Sequence, residues 1–383
     1  MTVEGPNRPR QIGLNAHLLS GQQGYRRAGI HTYIAQQLNH LPMSGSDLRF
    51  FVFTNTQDEL SPRLSSNSIS TRWPTGNRLF RIAWEQLSWP LAARAHKLDL
   101  LHGMAFVTPV IAPCPTVVTV YDLSFIYFPD RYPILQRIYL TSQTRRSCQR
   151  ARRVVTISES GRQDVHKLFG VPLERISVIH PGVDPNFYPR SEDEIEDFRA
   201  RQNLSPQYVL HVGTLQPRKS LPTLIKAFAK LKRPDLELVL VGGKGWAYEE
   251  IFSLVRGLDL DKRVRFTGYV SDGELPLWYN AAAVLVFPSV YEGFGLPVAE
   301  AMACGTPVVA ANTSAIPEAA GIAARLFKAQ DGAELSDHIA AVLDDPHLAA
   351  TMRGHGLQQS RQFSWKRAGE EWVDVYRRAL EEE

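Results

Sequence analysis

What most limits the folds open to this chain is a pattern that occurs twice: short apolar runs alternating with amphipathic helical stretches. In the first half the runs fall at 11–16, 49–53, 98–102, 116–120, 153–157 and 176–179. Helical patterns separate them, at 30–38, 82–95 and 133–150. A further helix, for which Ser160 and Gln163 make a capping box, stops near Gly170 and Pro172. Residues 57–78 are polar and turn-rich and read as a surface loop. The character changes at 184–203, and a second series follows, with runs at 208–212, 236–241, 264–267, 283–287 and 306–310 and helices such as 221–231 and 248–258 between them. Strands alternating with helices form parallel sheets covered on both faces. Two such series in 383 residues, long for one core, predict two doubly wound α/β domains. The expected division is a first domain at 1–185, a linker at 186–204, a second domain at 205–363, and a closing helix at 364–383 that packs back towards the first domain. Ligands of such sheets bind beyond the carboxyl ends of the strands, so a cleft between two facing sheets is the expected site.

Composition narrows the function classes. Hydrophobic residues at 44% and charged residues at 21% describe a soluble globular protein. No apolar run is long enough to predict a membrane span, and the first ten residues lack the apolar core of a secretory signal, so a cytoplasmic location is expected. Cys114, Cys148 and Cys304 are scattered without metal-ligand spacing, so free thiols and no metal site are expected. Residues 1–185 carry 21 Lys and Arg against 12 Asp and Glu, whereas the remainder carries 22 against 27. A basic first half suits an anionic surface or substrate; ordinary surface variation is the alternative. The segment 131–153 holds Arg131, Arg137, Arg145, Arg146, Arg150, Arg152 and Arg153 interleaved with Tyr132, Ile134, Leu135, Ile138, Tyr139 and Leu140. That surface suits anionic lipid headgroups or an acidic acceptor, and equally a helix with a solvated arginine face. Nucleic acid is not an expected partner.

The stretch 289–300 joins an apolar run to a helical one through a glycine-bearing turn. Gly293 and Gly295 permit close backbone approach, Pro297 fits a first helical turn, and the free N–H groups there favour an anion such as phosphate. Glu292 lies on the turn and Glu300 about two turns further on. Alone, this is also what a structural turn with two solvated glutamates looks like. The segment 213–220 likewise follows a strand, and it sets Arg218 and Lys219 at a helix start. Cations there oppose the helix dipole unless an anion is present. A diphosphate fits, since Arg forks two oxygens and Lys adds a point charge; a solvated basic pair is the alternative. Residues 242–246, and Gly268, Tyr269 and Val270, also follow strand ends, as ligand contacts or plain loops.

In this order the segments resemble retaining glycosyltransferases of the GT-B fold, family 4 (glycosyl transferases group 1). The residues concerned are Gly213-Thr214-Leu215, Arg218-Lys219, Val241-Gly242-Gly243, Phe266-Thr267-Gly268-Tyr269-Val270, Glu292-Gly293-Phe294-Gly295-Leu296-Pro297, Glu300-Ala301 and Gly305-Thr306-Pro307-Val308-Val309. The match spans most of 205–325. The first half is similar more loosely, through Gly24, Gly29-Ile30, Trp84-Glu85-Gln86, Asp122-Leu123-Ser124 and Ser158-Glu159-Ser160, and 180–184 resembles the end of the family's first domain. The resemblance implies two Rossmann-like domains facing across a cleft. It implies that Glu292 contacts donor-sugar hydroxyls, that the backbone of Gly293, Phe294, Gly295 and Leu296 holds sugar and diphosphate, and that Glu300 binds the ribose hydroxyls. Arg218 and Lys219 would stabilise the leaving diphosphate, and Gly29, Gly213, Gly268, Tyr269 and Val270 complete the donor set. Gly13 and the 21–29 loop would close on the diphosphate. The implied reaction is metal-independent hexosyl transfer by front-face displacement, from a nucleoside diphosphate sugar to a glycan or lipid-linked acceptor, at the inner membrane face where the protein is peripheral. GDP-mannose is the first donor guess, from the Asp-Leu-Ser stretch, with a UDP-sugar as the alternative. Many members carry a His before the Asp of the loop after 116–120. Here Tyr121 precedes Asp122, which leaves Asp122 as a hydroxyl-binding candidate or a loop cap, and His102 as runner-up. Rival readings are a sugar-nucleotide epimerase or phosphorylase of the same fold and a non-catalytic nucleotide or glycan binder.

Overall fold

The computed structural model describes residues 8–19, 29–42, 47–55, 67–71, 73–246 and 248–382. It divides into two units, Met1–Pro181 with Trp365–Glu383, and Gly182–Ser364.

The first unit is built on seven parallel strands: β1 (Arg10–Asn15), β2 (Leu48–Thr54), β3 (Ser68–Ser70), β4 (Leu100–Gly103), β5 (Thr116–Val120), β6 (Arg153–Thr156) and β7 (Ile176–Val178). Their order is β3-β2-β1-β4-β5-β6-β7. The chain winds outward from β1 to β3, then crosses back and winds the other way from β4, so the winding reverses between β1 and β4. β5 is buried at every position, which is why its Thr-Val-Val-Thr-Val run shows no polar alternation. β3 lies inside the stretch expected to be a surface loop; it is a three-residue polar edge strand with no apolar run to announce it. The helix after β6 starts at Glu159 and is capped by Ser158, whose side chain accepts from Gly161 N at 3.0 Å, in place of the expected Ser160 box. The helix expected at 82–95 starts at Arg78 and contains a π-helical turn at Trp84–Ser88. The closing helix, Trp365–Glu381, belongs to this unit. Its Trp365 ring lies 5.1 Å from Tyr33, Trp372 is fully buried, and at Gly369 a Cβ would stand 2.1 Å from the His40 carbonyl oxygen, so no side chain fits there.

The second unit holds β8 (Tyr208–Val212), β9 (Glu237–Val241), β10 (Val264–Gly268), β11 (Val284–Phe287), β12 (Val308–Ala311) and β13 (Ala324–Phe327), all parallel, in the order β10-β9-β8-β11-β12-β13. The winding reverses between β8 and β11. Residues 186–204, expected as a linker, lie within this unit. The helix Glu192–Gln202 starts from a reciprocal Ser191–Glu194 capping box, and its Phe198 meets Trp278 edge-on at 5.1 Å.

Candidate active site

Open α/β sheets bind ligands at the carboxyl ends of the two strands where the winding reverses. In the second unit these are β8 and β11. The loop after β8 runs through Gly213 to a 3₁₀ turn at Pro217–Lys219, and Ser220, in the left-handed region, redirects the chain into the helix Leu221–Lys230. The loop after β11 carries Glu292 and enters the helix Leu296–Ala303 through Gly295, whose φ of 108° favours glycine. The two loops are tied by backbone, Val290 N donating to Arg218 O at 3.0 Å.

Arg218, Lys219 and Glu292 therefore meet. Arg218 Nη1 lies 2.8 Å from Glu292 Oε2, Lys219 Nζ lies 2.6 Å from Oε1, and the Arg218 guanidinium also donates to Tyr291 O. Lys219 Nζ stands 4.9 Å from the centre of the Phe287 ring, a cation–π contact. Glu292 N donates to Ser314 Oγ at 2.8 Å, which fixes the turn. Burial alone would raise the Glu292 carboxyl, but Arg218 and Lys219 outweigh it and hold the group at about 2. Beneath Lys219 lies His211, kept neutral by burial and by the lysine's charge; its Nδ1–H donates to Val286 O at 3.1 Å. Two cations share one carboxylate, so the cluster keeps a net positive charge beside the helix start, an arrangement suited to an anion.

Glu300 is half-buried on the helix Leu296–Ala303, and it accepts from the Tyr279 hydroxyl at 2.8 Å. Burial pushes its carboxyl up to about 7; the Tyr279 bond opposes this, and the charges of Asp272 and Asp184 add to it. Gly213 abuts the lysine stem: a Cβ there would stand 3.2 Å from Lys219 Cε. Gly268 closes β10 and accepts from Gly242 N at 2.9 Å; Tyr269 is exposed, its hydroxyl donating to Asp272 Oδ1 at 3.3 Å, and Val270 follows on the same loop. Phe294 is buried against Phe363 at 5.0 Å, so this member of the set contributes backbone, not side chain.

The remaining candidates lie in the first unit. Asp122 accepts from Ser124 N at 2.9 Å and so caps the short helix Ser124–Tyr127. Tyr121 is a core residue whose hydroxyl donates to Met104 O at 2.7 Å. His102 is fully buried between Tyr376 Oη and Thr119 Oγ1, each at 2.9 Å, and burial keeps it neutral, which makes it a packing residue. Gly13 faces the Leu98 and Leu101 side chains inside β1, away from the strand's end. Gly29 precedes the helix Ile30–His40 with φ 74°; positions 21–28 of the loop lie outside the described residues. Sequence reasoning missed Tyr279, Ser314 and Phe287, whose distance along the chain from their partners leaves no local signal.

A family model for glycosyl transferases group 1 matches residues 192–359, and one for glycosyltransferase family 4 matches residues 27–187. O-antigen chain mannosyltransferase B of Escherichia coli is 33% identical over 290 residues, 75% of this chain and 76% of that protein. D-inositol 3-phosphate glycosyltransferase 1 of Catenulispora acidiphila is 35% identical over 56% of this chain, which spans 54% of that relative's length. Among solved structures, sucrose-phosphate synthase from Thermosynechococcus elongatus superposes with a TM-score of 0.77 at 24% identity, over 96% of this chain and 98% of that one. Anabaena HepE in complex with UDP and glucose superposes with a TM-score of 0.74 at 22% identity, over 96% and 99%. The matched models, the O-antigen relative and the two reversing parallel sheets agree: this chain belongs to the group 1 glycosyltransferases of family 4, with the GT-B fold.

Proposed function

We propose that this glycosyltransferase moves a hexose, with mannose as the first choice, from a nucleoside diphosphate sugar to a hydroxyl of a glycan or lipid-linked acceptor, with retention of configuration and without a metal ion. The observation that carries the reading is the convergence of Arg218 and Lys219 on Glu292 at the switch point of the second sheet. Negative charge grows on the departing diphosphate in the transition state, and fixed cations there lower the barrier. Glu292 then holds donor-sugar hydroxyls, the backbone of Gly293, Gly295 and Leu296 supports the phosphates, and Glu300 takes the ribose hydroxyls. A carboxylate as acidic as Glu292, with both oxygens engaged by cations, is a weak nucleophile, which favours front-face displacement over a covalent glycosyl-enzyme. The mannose preference rests on the 33% identical mannosyltransferase; the UDP bound by the Anabaena structure keeps a UDP-sugar as the alternative donor.

The same reading includes peripheral contact with an anionic membrane through 131–153. Ile134, Leu135 and Ile138 are exposed on the helix Ile134–Arg150, and Arg137 and Arg145 line a groove of about 450 Å³ on the same helix. No helix among the described residues is long and apolar enough to cross a membrane.

Incubation with labelled GDP-mannose, UDP-glucose and UDP-galactose, with a panel of glycan and lipid-linked acceptors, tests the reaction. Transfer from GDP-mannose with the α-anomer retained is the expected result. Nucleotide binding with no transfer from any donor would favour a non-catalytic binder.

A further inference from the structure

The first unit has a switch point of its own, at the carboxyl ends of β1 and β4, and the polar side chains gathered there serve none of the roles above. Asn15 ends β1 and donates through Nδ2 to Glu85 Oε1 at 3.2 Å, the only hydrogen bond to Glu85 among the described residues. His17 follows, its Nδ1 2.9 Å from Thr75 Oγ1 and its ring 3.9 Å from Trp84, while its Nε2 is buried without a hydrogen-bond partner. Arg81 lies one helical turn before Glu85 and within electrostatic reach of both Glu85 and His17. Tyr139 also lies within electrostatic reach of Glu85, and its hydroxyl has no hydrogen-bond partner.

Three independent features mark this cluster as built for a ligand. It sits where this sheet architecture receives one. Glu85 lies on the π-helical turn Trp84–Ser88, a distortion that gives up regular hydrogen bonds and concentrates at functional sites. The half-buried carboxyl is paired by a neutral amide, and burial raises it to about 7 against the pull of Arg81 and Asn15. The group is therefore divided between acceptor-only and donor-bearing forms near neutrality, and either form pairs with a hydroxyl, which both donates and accepts. A phosphate would meet the carboxylate's repulsion.

We infer that Asn15, His17, Arg81, Glu85 and Tyr139 form the acceptor subsite, with Glu85 and Tyr139 hydrogen-bonding hydroxyls of a terminal pyranose. The inference rests on the glycosyl-transfer reading and names the residues that would choose the acceptor.

The test uses the full chain and ligand-observed saturation-transfer NMR with the methyl glycosides of mannose, glucose, galactose and N-acetylglucosamine. At least one glycoside should receive saturation from the wild type. Glu85→Leu should weaken its binding about tenfold and Tyr139→Phe about threefold, the scale of one hydrogen bond lost to a charged and to a neutral group. Binding of GDP, or of UDP where that is the donor base, should stay unchanged in both variants; it reports on the second unit alone and separates failure of the donor reading from failure of this one. The inference is overturned where no glycoside receives saturation from the wild type. It is equally overturned where the folded Tyr139→Phe and Glu85→Leu proteins bind the glycoside as the wild type does. Should Glu85→Leu not fold, Tyr139→Phe and Glu85→Gln decide the matter by the same measurement.

Discussion

Each unit gathers its chemistry at the reversal of its own sheet, yet the two places are electrostatic opposites. At β8 and β11 one carboxylate faces two cations, and Glu292 is held at about 2. At β1 and β4 a carboxyl has an amide as its hydrogen-bonding partner, and Glu85 rises to about 7. The fold determines where a ligand sits; the loops determine which ligand is welcome. A surplus of fixed positive charge suits a diphosphate, and a nearly neutral polar set suits sugar hydroxyls.

The strongest attempt to break this contrast is Lys219→Ala. Turnover should fall about 10²- to 10³-fold, as when one transition-state donor is removed, with circular dichroism unchanged. Undiminished turnover would remove the cation pair from the chemistry. Next comes Glu292→Gln, which leaves two largely buried cations without their counter-charge. It should destabilise the second unit by about 3 kcal/mol in urea unfolding. The sign with pH follows from the depressed carboxyl. Its contribution is full above the ordinary value of 4.5 and is lost as pH falls towards 2, so the variant should lack the wild type's steep acid limb. Glu300→Ala should weaken nucleoside diphosphate binding about tenfold by calorimetry, one ribose anchor's worth of hydrogen bonding to a charged group. Because the Glu300 carboxyl is raised to about 7, its effect on stability has the opposite sign: present in full below 4.5 and lost as pH rises through 7. Nucleotide affinity should rise over that same upper range, since ribose hydroxyls donate best to the carboxylate; a flat affinity profile between pH 6 and 8 would sink the assignment. The smallest effect should be on stability at Glu85→Gln, within about 1 kcal/mol at neutral pH, because no cation is hydrogen-bonded there to be stranded. A loss as large as that of Glu292→Gln would erase the contrast.

Much of the architecture was legible because buried parallel strands are written as apolar runs. The runs at 208–212 and 283–287 gave the two strands that flank the donor site, and the glycines after them marked the turns. Elements that bury little were not legible. β3 is three residues of Ser-Ile-Ser, and β13 at Ala324–Phe327 is only partly buried, so neither has a run to read. The helix start at Glu159 was displaced because Ser158 and Ser160 are equally good caps on paper, and only the fold chooses between them. At the site, residue types and order identified Arg218, Lys219, Glu292 and Glu300 as candidates, but their pairing was hidden. Glu292 and Lys219 are 73 residues apart and Tyr279 and Glu300 are 21 apart, and such partnerships arise from strand order, which no local pattern encodes. Glu85 was visible only as part of a Trp-Glu-Gln string, since neither burial nor a π turn can be read from residue type.

The closing helix carries a consequence for how the protein is made. Residues 182–364 must leave the ribosome before Trp365–Glu381 does, yet that helix supplies Tyr376 to His102 and Trp372 to the core of the first unit. At the usual pace of synthesis the first sheet waits roughly 10–35 s with one face uncovered. The second unit, continuous in sequence, suffers no such delay. Nascent chains arrested before residue 365 should therefore hold a protease-resistant second unit beside a first unit that is still open to cleavage.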